Sequence, residues 1–79
     1  MTGDPSAEEF LPADARARLE RVRAAARAVL RDDYKARDFL VRPHPLLDRR
    51  RPMELILGGE EGTRRVERLL ERLRTAVPR

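Results

Sequence analysis

The stretch Arg42-Pro43-His44-Pro45-Leu46-Leu47-Asp48-Arg49-Arg50-Arg51-Pro52-Met53-Glu54-Leu55 decides how this chain is organised. Three of its prolines fall within ten residues. A proline fixes its own φ, lacks an amide donor and pushes the preceding residue towards an extended conformation. The stretch therefore predicts a stiff connector that ends one helix before Pro43 and starts another at Pro52, since proline suits the first turn of a helix.

Apolar residues recur at helical spacing on both sides of this connector, which predicts one long helix upstream and one long helix downstream. The upstream helix should begin at Pro12 and the downstream helix near Glu60. Glu60 and Glu61 then lie in a first turn, where they complement the helix dipole and can pair with Arg64 and Arg65. The two apolar stripes are Leu19, Val22, Ala26, Val29 and Leu30, and Val66, Leu69, Leu70, Leu73 and Val77.

Two short helices complete the pattern. One covers about residues 33–41, with Asp32 or Asp33 as its cap. The other runs from Pro52 to the glycine pair Gly58-Gly59, which can adopt the positive φ that ends a helix. The fold class is therefore all-α, a small bundle of two long and two short helices.

Gly62 lies inside the first turn of the last helix, where glycine costs about 1 kcal/mol relative to alanine. Its presence predicts a tight packing contact at that point. The residues that we expect in the core are Phe39, Leu55, Ile56, Val66, Leu69, Leu70 and Leu73.

The length of 79 residues allows one small domain. Residues 1–15 carry four acidic residues and no basic one, and Pro5 and Pro12 limit helix formation there. We expect residues 1–11 to form a mobile acidic arm and residues 12–79 to form the helical domain. Small domains of this size are often stabilised by a partner, so a homodimer or a stable heterocomplex is a further expectation.

The residue types give no support for catalysis or metal binding. There is no cysteine and only one histidine, His44, so thiolate and histidine metal sites are excluded. No Ser/His/Asp set and no glycine-rich phosphate loop is present. The acidic pairs Asp32-Asp33 and Glu60-Glu61 fall at helix starts, where capping accounts for them. We expect a protein that is not an enzyme, with no cofactor, no membrane span and a cytoplasmic location.

The net charge of +4 leaves nucleic acid open as a partner. Seventeen of the eighteen basic residues are arginine, and Arg49, Arg50 and Arg51 form a run. Only three aromatic residues are present, too few for a base-stacking platform. Two alternatives therefore stay open: a nucleic-acid-binding accessory protein that uses the arginine-rich connector, and a plain helical oligomerisation module.

Four motifs follow one another through residues 39–77: Phe39-Leu40, then Pro43-His44-Pro45-Leu46-Leu47, then Pro52-Met53-Glu54-Leu55-Ile56, and finally Glu61-Gly62-Thr63-Arg64-Arg65-Val66-Glu67-Arg68-Leu69-Leu70-Glu71-Arg72. They resemble the toxin-binding domain of bacterial antitoxins of the Xre/MbcA/ParS type. That family shows Trp-Leu, Pro-Asn-Pro-x-Leu, Pro-x-x-Leu and Glu-Gly-x-x-x-Val-x-x-Leu-Leu-x-Arg in the same order. This chain has Phe39 in place of Trp and His44 in place of Asn, while Asp48 and Arg49 stand where small or glycine residues are common.

The resemblance implies an antitoxin that neutralises a protein toxin, commonly a RES-domain enzyme that degrades NAD, by covering the entrance to the toxin's cleft. Full-length members usually carry an N-terminal helix-turn-helix that binds operator DNA. We expect none here and therefore no direct DNA binding. The expected partner-binding residues are Pro43, His44, Pro45, Leu46, Leu47, Asp48, Arg49, Arg50, Arg51, Pro52 and Met53, with Val77, Pro78 and Arg79 of the tail as a second contact.

Overall fold

Four helices dominate the part of the chain that a computed structural model describes, residues 11–76. They are α1 (Ala13–Leu30), α2 (Asp33–Val41), α3 (Pro52–Gly58) and α4 (Glu60–Ala76). A single 3-10 turn, Pro45–Leu47, lies between α2 and α3. Residues 11–76 contain no β-strand, and none of their helices is both long and apolar enough to cross a membrane. The predicted all-α bundle of two long and two short helices is confirmed.

The predicted arm and tail contacts fall largely outside the described residues. Of residues 1–11, only Leu11 is described, and it lies partly buried against the core. The proposed contacts Val77, Pro78 and Arg79 are outside the description as well.

Local residue chemistry sets the ends of α1 and α2. Pro12 precedes α1 with an extended ψ of 153°, so it lies one position before the first turn that was predicted for it. Arg31 ends α1 in the left-handed conformation, and its amide donates to the Arg27 carbonyl at 2.8 Å. Asp32 begins α2 by accepting a hydrogen bond from the Lys35 amide at 2.9 Å, which identifies it as the N-cap.

The corner between α3 and α4, residues 55–63, is packed without spare room. Gly59 has a φ of 146°, which only glycine adopts easily. A methyl group at Gly62 would collide with the carbonyl oxygen of Leu55, so the predicted tight contact is confirmed. Thr63 is fully buried, and its hydroxyl donates to the Gly59 carbonyl at 2.7 Å. A larger residue at Gly62 would therefore force the two helices of the corner apart.

The core lies where α1, α3 and α4 meet, with α2 covering one side. Phe39 and Leu73, which were predicted as core residues, are half-buried and pack against its edge. The buried apolar residues are Leu19, Val22, Ala26, Ala36, Leu40, Leu47, Leu55, Ile56, Val66, Leu69 and Leu70.

Two arginines of α1 attach it to the rest of the bundle. The largely buried Arg18 donates from Nε to the Ile56 carbonyl at 2.9 Å, near the end of α3. Arg21 contacts a carboxylate oxygen of Glu60 and one of Glu67, each at 2.7 Å. The hydrogen bond from Arg21 lowers the pKa of the Glu60 carboxyl, and both carboxylates raise the pKa of Arg21. These contacts fix α1 against the α3–α4 corner.

Candidate partner-binding site

The connector between α2 and α3, residues 42–51, closes on itself through backbone hydrogen bonds. The His44 carbonyl accepts from the amides of Leu47 and Arg49, at 2.9 and 3.0 Å. The His44 amide donates to the Arg50 carbonyl at 3.1 Å, which forms an isolated antiparallel bridge. The segment is therefore stiffened by hydrogen bonds as well as by its prolines.

The His44 side chain is part of this closure. Its Nδ1 accepts a hydrogen bond from the Leu46 amide at 3.1 Å, which caps the 3-10 turn. Asparagine commonly makes the same kind of bond to an amide two residues on. The half-buried imidazole also meets the ring of Phe39 edge-on, with centroids 6.3 Å apart. His44 thus has a structural role in the connector, in addition to its expected place among the partner-binding residues.

Asp48 and Arg49 turn the chain back towards α3. Both adopt positive φ, at 58° and 63°. Asparagine, aspartate and glycine tolerate this region well, whereas arginine does so at a cost of about 1–2 kcal/mol. The connector therefore places two charged residues, Asp48 and Arg49, in a backbone conformation that suits glycine.

The two leucines of the turn are separated by the backbone. Leu47 is 2% exposed and belongs to the core, whereas Leu46 is 54% exposed. Leu47 fills the core, and Leu46 is held outward by a turn that is itself anchored.

The arginine run is also divided. Arg51 is exposed, as expected, but its Nε also donates to the Val41 carbonyl at 3.0 Å at the end of α2. Arg49 and Arg50 are exposed. All three arginines therefore contribute to the outward charge of the connector, and Arg51 is the one held in place by a bond to the fold.

The remaining predicted site residues differ in exposure. Pro43 and Pro45 are exposed, Met53 is half-buried, and Pro52 is buried beneath the start of α3. The surface that a partner could touch thus comprises Pro43, Pro45, Leu46, Asp48, Arg49, Arg50 and Arg51, with parts of His44 and Met53.

A groove of about 260 Å³ separates the 3-10 turn from α4. Sequence reasoning missed its arginines, although each lies beside the apolar stripe of α4 and could have been placed by helical spacing. Arg65 pairs with Asp48 at 3.2 Å across the groove, and not with Glu61 as predicted. The lining residues are Leu46, Leu47, Arg65, Arg68, Leu69 and Arg72.

A larger groove of about 420 Å³ lies among α1, α2 and Met53. Its rim carries three arginines, and of these only Arg37 forms no ion pair with the described residues. Arg27 lies 3.5 Å from a carboxylate oxygen of Asp33, and Arg23 lies 3.2 Å from one of Glu20. This groove therefore fits a solvated surface better than an anion-binding one, despite its size.

Two further kinds of site, a metal site and a basic surface on α1, find no support in the described residues. Residues 11–76 hold no cluster of three or more metal-ligating side chains. On α1, the guanidinium groups of Arg18, Arg21, Arg23 and Arg27 all bind carboxylates or carbonyls of the protein itself. Arg16 is the one remaining arginine of α1, so this helix has little free charge for a nucleic acid.

Comparison with known families gives a match over residues 25–75. The matching family is described as the antitoxin Xre/MbcA/ParS C-terminal toxin-binding domain. The matched region runs from α1 to the last turn of α4 and includes the whole connector and the groove between the 3-10 turn and α4. Comparisons with curated proteins and with solved structures found no match.

Proposed function

This chain belongs to the family of antitoxin Xre/MbcA/ParS C-terminal toxin-binding domains, and from that premise we propose that it neutralises a NAD-degrading toxin of the RES-domain type. The protein acts by binding and performs no chemistry itself. Its connector covers the entrance to the toxin's active-site cleft. The NAD-degrading class of toxin is the one that the resemblance of the sequence motifs implies.

The observation that carries this proposal is the rigid presentation of Leu46. An exposed leucine on a closed, hydrogen-bonded turn loses little conformational freedom when a partner covers it. The exposed Arg49 and Arg50 lie next to it along the chain. An apolar anchor beside planar cationic groups resembles a binding hot spot with a polar rim.

Co-expression provides the functional test. The protein is produced together with the candidate toxin while cellular NAD and growth are measured. We expect NAD to be preserved only when both proteins are present and form a complex. A toxic partner that is neither bound nor inhibited would contradict the proposal.

Substitutions then locate the contact. Arg49→Ala combined with Arg50→Ala should weaken toxin binding by about 1–3 kcal/mol if either residue is a hot spot. The fold should be unchanged, because exposed charges contribute little to stability. Arg16→Ala combined with Lys35→Ala is the matched control, since both residues are exposed on helices outside the connector and line neither groove. If the two double variants bind the toxin with equal affinity, Arg49 and Arg50 are not part of the interface.

A nucleic-acid-binding role predicts a different result. Binding to random DNA would fall steeply with salt, because it depends on the release of counterions. A toxin complex anchored by Leu46 should persist at salt concentrations that abolish such binding. Measuring both complexes over the same salt series separates the two functions.

A further inference from the structure

The groove between the 3-10 turn and α4 combines an apolar floor with a cationic wall. Leu46 forms one side, and the buried Leu69 lies at the bottom. Arg68 and Arg72 stand on α4, one helical turn apart and about 6 Å along the axis. The two arginines therefore face one stretch of bound chain from the same side.

The charges of this wall are not balanced within residues 11–76. Arg64 and Arg74, elsewhere on α4, each pair with a glutamate of the same helix. In contrast, neither Arg68 nor Arg72 forms an ion pair with a carboxylate of the described residues. Arg65 is held by Asp48 at the edge of the groove. The groove thus presents two cations that lack an anionic partner in the described fold.

We propose that this groove binds an acidic segment of the partner toxin in which one large apolar residue stands between two carboxylates. The assignment of the segment to a toxin rests on the proposed function. The carboxylates accept hydrogen bonds from Arg68 and Arg72 on α4, and the apolar side chain packs against Leu46 on the opposite side of the groove. Guanidinium groups suit this contact because they bind carboxylates through two parallel hydrogen bonds.

The dimensions of an extended segment agree with this arrangement. Successive side chains point to opposite sides, and residues two apart are separated by about 6.6 Å. An acidic–apolar–acidic sequence therefore directs both carboxylates towards α4 at nearly the spacing of Arg68 and Arg72. The apolar residue between them points towards the turn that carries Leu46.

The groove favours a peptide over a nucleic-acid backbone. A phosphate chain has no apolar group to cover Leu46 and Leu69. A segment with two carboxylates and an apolar residue can pair with Arg68 and Arg72 and also cover Leu46.

A peptide titration tests the chemistry of the groove without a toxin. The probe is a capped Ser-Glu-Leu-Glu-Ser peptide, added to the isotope-labelled protein while backbone amide signals are followed by NMR. We expect saturable shifts for the amides of the 3-10 turn and for those of residues 65–72. Peptides with Gln-Leu-Gln or Glu-Gly-Glu at the centre should bind at least several-fold more weakly.

Charge-reversal variants and a rival ligand complete that experiment. Arg68→Glu should abolish the peptide shifts, whereas Arg16→Glu, an equal change of charge on α1, should preserve them. A thymidine oligonucleotide that shifts the same amides at lower concentration than the peptide would overturn the proposal in favour of phosphate. Equal binding of the Glu-Leu-Glu and Glu-Gly-Glu peptides would overturn the apolar part.

The full complex separates this inference from the function on which it rests. If the wild-type protein binds a toxin, Arg68→Glu should weaken the complex at least tenfold, and Arg16→Glu should not. Unchanged affinity of Arg68→Glu would reject the groove as a contact and leave the antitoxin function standing. If the wild-type protein binds no toxin, the proposed function fails, and the peptide titration still decides what the groove binds.

Discussion

The α3–α4 corner, residues 55–63, and the connector, residues 42–51, use unusual backbone geometry for opposite purposes. At the corner, Gly62 removes a side chain so that two helices can touch. In the connector, Asp48 and Arg49 keep their side chains at positive φ, and the turn holds Leu46 in solvent. Both regions carry motifs of the same family, but one serves the interior and the other a surface. The difference shows that a motif becomes informative about binding only once burial is known.

The largest expected effect separates the two neighbouring leucines of the connector. Leu47→Ala should lower the free energy of unfolding by about 2–5 kcal/mol, because it leaves a cavity in the core. Leu46→Ala should change it by no more than about 0.5 kcal/mol, because that side chain is exposed. Urea denaturation of both variants measures the difference. Similar losses in the two variants would show that the turn does not divide them.

The next effect tests the corner. Gly62→Ala should destabilise the protein by about 1–3 kcal/mol, since its methyl group meets the Leu55 backbone, which cannot rotate away. Gly58→Ala is the matched control, because a methyl group there has no neighbour within 4 Å. That control should stabilise by about 0.4–1 kcal/mol through the unfolded chain. Thermal unfolding of the two variants provides the measurement. Shifts of the unfolding temperature with the same sign for Gly62→Ala and Gly58→Ala would contradict the packing argument.

A smaller effect of opposite sign is expected at the connector. Arg49→Gly should raise stability by up to about 1 kcal/mol, because relief of the left-handed conformation outweighs the added freedom of the unfolded chain. Arg49→Ala removes the same guanidinium but keeps the strained φ, so it should bring no gain. Chemical denaturation can resolve the two variants. A gain from alanine equal to that from glycine would point to charge and not to backbone geometry.

The smallest effect concerns the ion pairs that hold α1 to the corner. Arg21 lowers the pKa of Glu60, so the stability from this contact is present above the ordinary pKa of a glutamate and is lost as the pH falls through the lowered value. Stability should therefore decline in acid, and Glu60→Gln should reduce part of that decline. Glu61→Gln, beside it in the same helix turn, is the control. Denaturation curves between pH 7 and pH 2 provide the measurement.

The sequence predicted the helices well because their ends depend on local chemistry. Asp32 caps α2, Pro52 begins α3, and Gly59 ends it, all within a few residues of the feature that they control. The contact at Gly62 was predictable for a related reason, since glycine in a first turn is costly without a steric need. These features require no knowledge of distant residues.

The functional surface was predictable in its position and not in its detail. Nothing in the sequence distinguishes Leu46 from Leu47, because a proline-rich connector has no helical period. Arg51 belongs to a run of three arginines, and nothing in that run indicates that its Nε donates to the Val41 carbonyl at the end of α2. The cationic wall of Arg68 and Arg72 becomes evident only when α4 packs beside the turn. Each of these depends on contacts between elements.

The bond from the Leu46 amide to His44 also fixes the tautomer of that histidine. A ring nitrogen that accepts a hydrogen bond carries no proton, so the proton of the neutral imidazole resides on Nε2. His44 can therefore offer a partner a donor but no second acceptor. An asparagine that used its carbonyl oxygen for the same cap would likewise keep only its NH₂ group. The histidine thus preserves both the turn and the polarity that the family's asparagine would give, and a partner residue that meets it must supply a lone pair.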